Sequence, residues 1–192
     1  MSRRAHVDLT TPRQDWRPVP MPGANGDIEL VPLACAPGRF TILGRVPPGF
    51  ERLTLGGYRC SEEFLVVDGE LEFERTTYVR GDLTVVPAHL LRTGMRSPRG
   101  CVLLAWFGGP AIFQAPDELD LAVGAIVSAR TSDRSEPLPG SPVGAWIRGP
   151  AVRDGVVDVV DPELGSWQRG PADAAAGALV RQDLAGDAGS AS

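Results

Sequence analysis

Three side chains able to exchange protons or bind metal alternate along "GYRCSEEF": Tyr58, Cys60 and Glu62. On an extended strand that spacing places all three on one face. Further along, "VPAHLLRTG" supplies His89 and Arg92. A carboxylate near an imidazole is a proton-transfer pair, because histidine titrates near neutrality. A carboxylate against a guanidinium is either a structural ion pair or half of an anion site. Thiol, carboxylate and imidazole together (Cys60, Glu62, His89) would form a metal site of mixed S, O and N donors. Each residue also has a plainer use. Cys60 serves as a buried inert thiol, Tyr58 as core packing, and His89 as a loop residue after Pro87. Glu63 points opposite to Glu62 on a strand and is expected to be a solvated surface acid.

The elements that must position these groups read as short strands. Apolar or alternating segments fall at residues 28–34, 39–46, 51–56, 83–88, 101–107 and 111–113. "PPG" at 47–49 is a turn. In "EFLVVDGELEF", Asp68-Gly69 between two apolar arms predicts a hairpin. Strands this closely spaced imply an antiparallel sandwich or barrel. Residues 1–27 read as an irregular Pro-rich arm, 28–114 as the β core and 115–192 as a loop-rich extension. Within the extension, "AWIRG" and "GVVDVV" suggest two more strands, an apolar segment lies around Val123–Val127, and "PADAAAGALVRQDL" (171–184) a short helix. The terminal "AGDAGSAS" reads as disordered. The segments beginning Val7-Asp8 and Val160-Asp161 share an order of Val-Asp, then Trp, then small residues. Biased composition or the opening of a second, abandoned repeat would each produce that echo, and composition is the simpler account.

At 192 residues the chain can bury a full core. Its net charge of −5 argues against nucleic acid as a partner. There is no lysine, which removes Schiff-base chemistry and leaves arginine as the only long cation. Three cysteines without paired spacing argue against a disulfide framework. Cys35 and Cys101, on apolar strands, read as core. The N-terminus lacks the apolar stretch of a secretion signal, and runs such as "CVLLAWF" are too short to span a bilayer. A cytoplasmic protein without membrane contact is expected.

"PPGF", "GYRCSEEFLVVDGELEF" and "RGDLTVVPAHLLRTG" together resemble the two motifs of the cupins, over roughly residues 28–113. The first cupin motif ends in Glu, six residues and Gly, matched by Glu62 and Gly69. The second opens with Gly, five residues and Pro, matched by Gly81 and Pro87. The resemblance implies an all-β, cupin-type antiparallel β-barrel or jelly roll that forms a homodimer. Metal-binding cupins supply two His and a Glu from the first motif and a His from the second. Here the first-motif His positions fall on Gly56 and Tyr58, or on Leu55 and Gly57 if the spacing is one longer, and the second-motif position falls on Arg92. Only Glu62 remains, and Arg cannot ligate. The barrel is therefore expected to work without metal or other cofactor.

The candidate site comprises Glu62, His89 and Tyr58 as catalytic groups, with Arg92, Cys60 and Trp106 as substrate-binding residues. Trp106 either lines the cavity or covers the outer sheet, which strand parity alone does not decide. Three functions stay open. One is binding of a small organic molecule with metal-independent isomerase, cyclase or lyase chemistry. Another is a non-catalytic sensor or accessory protein in which Arg92 holds an anion. The last is a metal-dependent dioxygenase-like cupin with rebuilt ligands.

Overall fold

A computed structural model describes residues 6–11, 15–36, 38–120, 124–149, 156–161, 163–171 and 178–184. The strands are β1 (His6–Asp8), β2 (Arg17–Pro20), β3 (Asp27–Ala36), β4 (Arg39–Val46), β5 (Phe50–Arg52), β6 (Gly57–Tyr58), β7 (Glu62–Phe73), β8 (Thr76–Val79) and β9 (Asp82–Val86). There follow β10 (Met95–Ser97), β11 (Cys101–Phe107), β12 (Phe113–Gln114), β13 (Val127–Arg130), β14 (Gly144–Arg148), β15 (Val156–Val160), β16 (Ser166–Pro171) and β17 (Leu179–Asp183). Among the described residues the only helical element is a 3-10 turn at Pro116–Glu118. No helix among them is long and apolar enough to cross a membrane.

The all-β expectation holds. One curled sheet runs β13-β9-β7-β11-β4-β3-β2, with β8 and β10 on the far half of β7 and β5 on β10. A second sheet, β1-β16-β15-β17-β14, lies against its outer face, and β12 pairs with β6. The segment read as an irregular arm thus contributes β2 to the curled sheet and β1 to the second. β13, from the extension, closes onto β9. The two segments of the sequence echo meet directly, since Val7 pairs with Trp167.

Strand β7 organises both cores. Before Asp68 its inward residues are even-numbered, Phe64 and Val66, while Leu65 and Val67 face outward. After Gly69 the inward residues are odd-numbered, Leu71 and Phe73. The predicted hairpin at Asp68-Gly69 is instead a β-bulge inside one continuous strand. The register against β11 slips between Val102 and Leu103, and the extra residue reverses the parity. Gly69 has φ of 73°, and a Cβ there would sit 2.2 Å from the Gly100 carbonyl oxygen, so glycine is required. The true turn lies further on, at Glu74 and Arg75, both with positive φ, between the paired Phe73 and Thr76. Asp-Gly permits a hairpin, but long pairing of both halves of β7 with other strands kept the chain extended.

The inner core holds Phe50, Tyr58, Phe64, Phe73 and Phe107 among others. The outer core packs Leu43, Leu65, Leu104 and Trp106 of the curled sheet against Trp146, Trp167 and Leu179 of the second. Burial on both faces explains why β7 and β11 read as nearly unbroken apolar runs. Three further expectations are corrected. Glu63 is 0% exposed because the second sheet covers its face. Cys35 is exposed, not core. Of the predicted helix at 171–184, Leu179–Asp183 is a strand and residues 172–177 lie outside the described residues. The terminal "AGDAGSAS" and Val123 also lie outside them.

Candidate functional site

The cross-strand register sorts the candidates by face. Glu62 pairs with Phe107 and Val86, both inner-core residues, so its side chain enters the curled sheet. There it accepts a hydrogen bond of 2.6 Å from Nη1 of Arg92. Arg92 is anchored by its backbone, which exchanges two hydrogen bonds with Gly56. A Cβ on Gly56 would strike the Gln114 carbonyl oxygen at 2.3 Å and the Phe113 ring at 2.5 Å, so glycine is what lets the 113–114 segment pack against Gly56. The Arg92 guanidinium lies 4.3 Å from the Tyr58 ring centroid and 5.5 Å from that of Phe73.

A second arginine, absent from the sequence reading, joins them. Arg52 is 1% exposed and stacks 4.4 Å over the Phe113 ring. Its guanidinium interacts electrostatically with Tyr58, Arg92 and Glu62, and burial pushes its pKa down. The signal was present in "FER": Phe50 and Arg52 share one face of β5, and Phe50 is core. Charge masked it, because arginine is a residue type seldom fully buried.

The remaining predicted residues separate. Tyr58 and Cys60 belong to the inner core. Burial, aided by the Glu62 charge, raises the Tyr58 pKa and pushes Cys60 up to about 11. Both stay protonated at neutral pH. The Cys60 thiol faces the Pro110 carbonyl oxygen at 3.5 Å. His89 has φ of 60°, and its Nδ1 accepts from the Asp120 backbone N–H at 3.3 Å. Its imidazole is thus engaged by the 116–120 loop. Trp106 pairs with Glu63 and faces the outer core, where its indole N–H donates to Asp158 at 2.8 Å. The reading of Trp106 as a cavity residue is corrected: its parity is that of Glu63, not Glu62.

A metal fits this arrangement poorly. Glu62 has two guanidiniums for neighbours, which repel a divalent cation. Among the described residues no three His, Cys, Asp or Glu side chains converge on one point, so Cys60, Glu62 and His89 do not form the mixed-donor site.

The outer face of the same strand carries a different polar cluster. Glu63 accepts from Arg181 Nε at 2.5 Å, from the Trp146 indole at 2.8 Å and from the Ser141 hydroxyl. Asp158 accepts from Arg169 at 2.8 Å, and Asp183 accepts from Arg169 at 2.9 Å and Arg181 at 2.5 Å. This cluster joins the second sheet to the curled one.

No family model matches the sequence, and no curated protein does. Among solved structures, a candidate dioxygenase from Nostoc punctiforme superposes on the whole of this chain and 86% of its own, with a TM-score of 0.61 at 15% identity. The fold is that of the cupins. An acetylacetone dioxygenase from Acinetobacter johnsonii is similar over 64% of this chain and 86% of its own, with a TM-score of 0.48 at 17% identity. A protein with a cupin-like fold from Ralstonia eutropha is similar over 47% of this chain and 60% of its own, at a TM-score of 0.41 and 15% identity. Identities this low speak to the cupin architecture and leave the chemistry to the residues present.

Proposed function

We propose that this cupin-fold chain binds a small organic molecule inside the curled sheet, at the end marked by Glu62 and Arg92, without a metal. One observation supports it above the others: Arg52, Arg92, Glu62 and Tyr58 gather in an otherwise apolar core. Apolar walls with a few convergent polar groups are the usual make-up of a ligand site. Binding is favoured over catalysis, as in a sensor or accessory protein, because His89 turns to the 116–120 loop and the Cys60 thiol stays protonated. A dioxygenase role carried over from the neighbours' names finds no ligand set for iron or a similar metal among the described residues.

A metal-independent isomerase, cyclase or lyase is the second reading. It is favoured by the protonated Tyr58 phenol close to the Glu62 carboxylate, a potential acid and base on one face. The proposal includes the homodimer, formed through a free edge of the curled sheet, where β13 exposes Val127. Sedimentation equilibrium tests that part.

Elemental analysis of protein purified without a tag or chelator tests the metal-free reading. Below about a tenth of an equivalent of any transition metal is expected, and a near-stoichiometric metal overturns it. A thermal-shift screen then follows, on wild type and Arg92→Ala. Compounds that stabilise only the wild type are expected. A folded Arg92→Ala that responds to the same compounds overturns the assigned location.

A further inference from the structure

The polar groups of the inner core do not balance. Arg52 and Arg92 bring two permanent positive charges and Glu62 one negative charge. Tyr58 and Cys60 stay protonated and add none. Four guanidinium nitrogens are fully buried without an acceptor among the described residues: Nε and Nη1 of Arg52, and Nε and Nη2 of Arg92. Arg92 is 3% exposed and Arg52 1%. Buried donors of this kind are rare, because each forgoes a hydrogen bond that water would supply.

Their arrangement is informative. Glu62 occupies Nη1 of Arg92, so the free nitrogens, Nε and Nη2, form one edge of the guanidinium plane. That edge presents two parallel N–H groups, the fork that matches a carboxylate in bidentate fashion. Stacking of both guanidiniums on Tyr58 and Phe113 covers their faces and leaves the edges for bonding. One surplus positive charge calls for one negative charge. A second anionic group on the ligand would be set among Phe64, Phe73 and Phe113 with no cation to meet it.

Resting on the ligand-binding reading above, we propose that the occupant is a small monocarboxylate with an apolar body. Its carboxylate is held by the free edge of Arg92 and by Arg52, and its body lies on the aromatic side chains.

The test uses benzoate and hexanoate as probes, with benzamide and hexanamide as neutral matches and phthalate and adipate as dianions. Titration calorimetry at fixed ionic strength is paired with the Nε–H resonances of Arg52 and Arg92 in protein labelled at arginine. The acids are expected to bind saturably and move both resonances. The amides are expected to bind roughly ten- to a hundredfold more weakly, the loss of one or two charge-assisted bonds. The dianions are expected to be weaker by a similar factor, because their second carboxylate is desolvated with no cation to meet it. Arg52→Gln is expected to erase the preference for acid over amide, and Arg52→Lys to keep part of it. If amides bind as well as acids and move the same resonances, the carboxylate assignment falls while the ligand-binding reading stands. Dianions that bind as tightly as the monoacids overturn the single-charge assignment. Acids that bind without moving either resonance overturn the assignment to these two arginines. If neither acids nor amides bind, both readings fall. The wild-type resonances decide the matter even if the Arg52 variants do not fold.

Discussion

Glu62 and Glu63 are neighbours on one strand, and each meets a buried arginine, yet the two clusters they begin are built differently. On the outer face, Glu63, Asp158 and Asp183 face Arg39, Arg169 and Arg181, three charges against three. Every nitrogen of Arg181 is bonded, including Nη2 to Glu63 and the Val143 carbonyl. Among the described residues the one buried donor left over there is neutral, the Trp167 indole. On the inner face two arginines share one carboxylate, and four charged N–H nitrogens lack acceptors among the described residues. A satisfied network fixes how two sheets meet, whereas an unsatisfied one stores binding capacity at a cost in stability. On the proposed ligand-binding reading, the difference separates scaffold from site more sharply than residue type does, because both clusters consist of Arg and carboxylates.

The largest effect that would break this comparison is on the outer face. Arg181→Met strands Glu63, which is fully buried, and should cost about 3–5 kcal/mol in urea unfolding. Arg92→Met should cost less than half as much, because Glu62 retains Arg52 nearby and some solvent contact. Equal losses would mean that the two clusters do the same structural work.

Arg52→Met sharpens the contrast through its sign. Removing a buried cation that has no carboxylate of its own, and replacing it with an apolar side chain, should leave stability within about 1 kcal/mol of wild type or raise it. A loss above about 3 kcal/mol would show Arg52 to be structural glue.

A smaller effect follows from acid titration. Burial pushes the Asp183 pKa up, but hydrogen bonds from Arg169 and Arg181 outweigh it and hold the group below its ordinary value. Because the folded pKa is the lower one, this contribution is complete above the unfolded value of about 4 and fades as pH falls through the folded value. Stability from this group should thus be flat between about pH 5 and 7 and decline in acid. Asp183→Asn should flatten part of that acid limb, measured as urea midpoints against pH. An unchanged limb would remove Asp183 from the balanced network.

Much of the curled sheet was legible because period-two alternation and turn residues mark short strands regardless of partner. The inner position of Glu62 was legible too, once Tyr58, Cys60 and Glu62 were placed on one face. What could not be read was the covering of the outer face. Glu63 reads as a surface acid, and Trp106 as a residue of either the cavity or the outer sheet, until a second sheet, assembled from His6–Asp8 and four strands after residue 143, is laid over them. Those pairings join the two ends of the chain, and local pattern carries no information about such distant partners. The bulge at Gly69 was hidden for a related reason: Asp-Gly permits either a turn or a bulge, and neighbouring strands choose.

The three thiols give the mildest test, and it compares two places in the inner core, one near the arginine pair and one beyond the bulge. The thiolate is the species that reacts with iodoacetamide. Burial pushes Cys60 and Cys101 up to about 11, while Cys35 is exposed. At pH 8 the native protein should therefore label rapidly at Cys35 and slowly at the other two, with all three labelling in urea. Cys60 shares the face of Glu62, so benzoate should slow its residual labelling. Cys101 lies far along β11, paired with Gly69 beyond the bulge, and its rate should not change. Equal slowing at both would indicate global stabilisation of the fold by the ligand, and protection of Cys60 alone would place the benzoate beside the arginine pair.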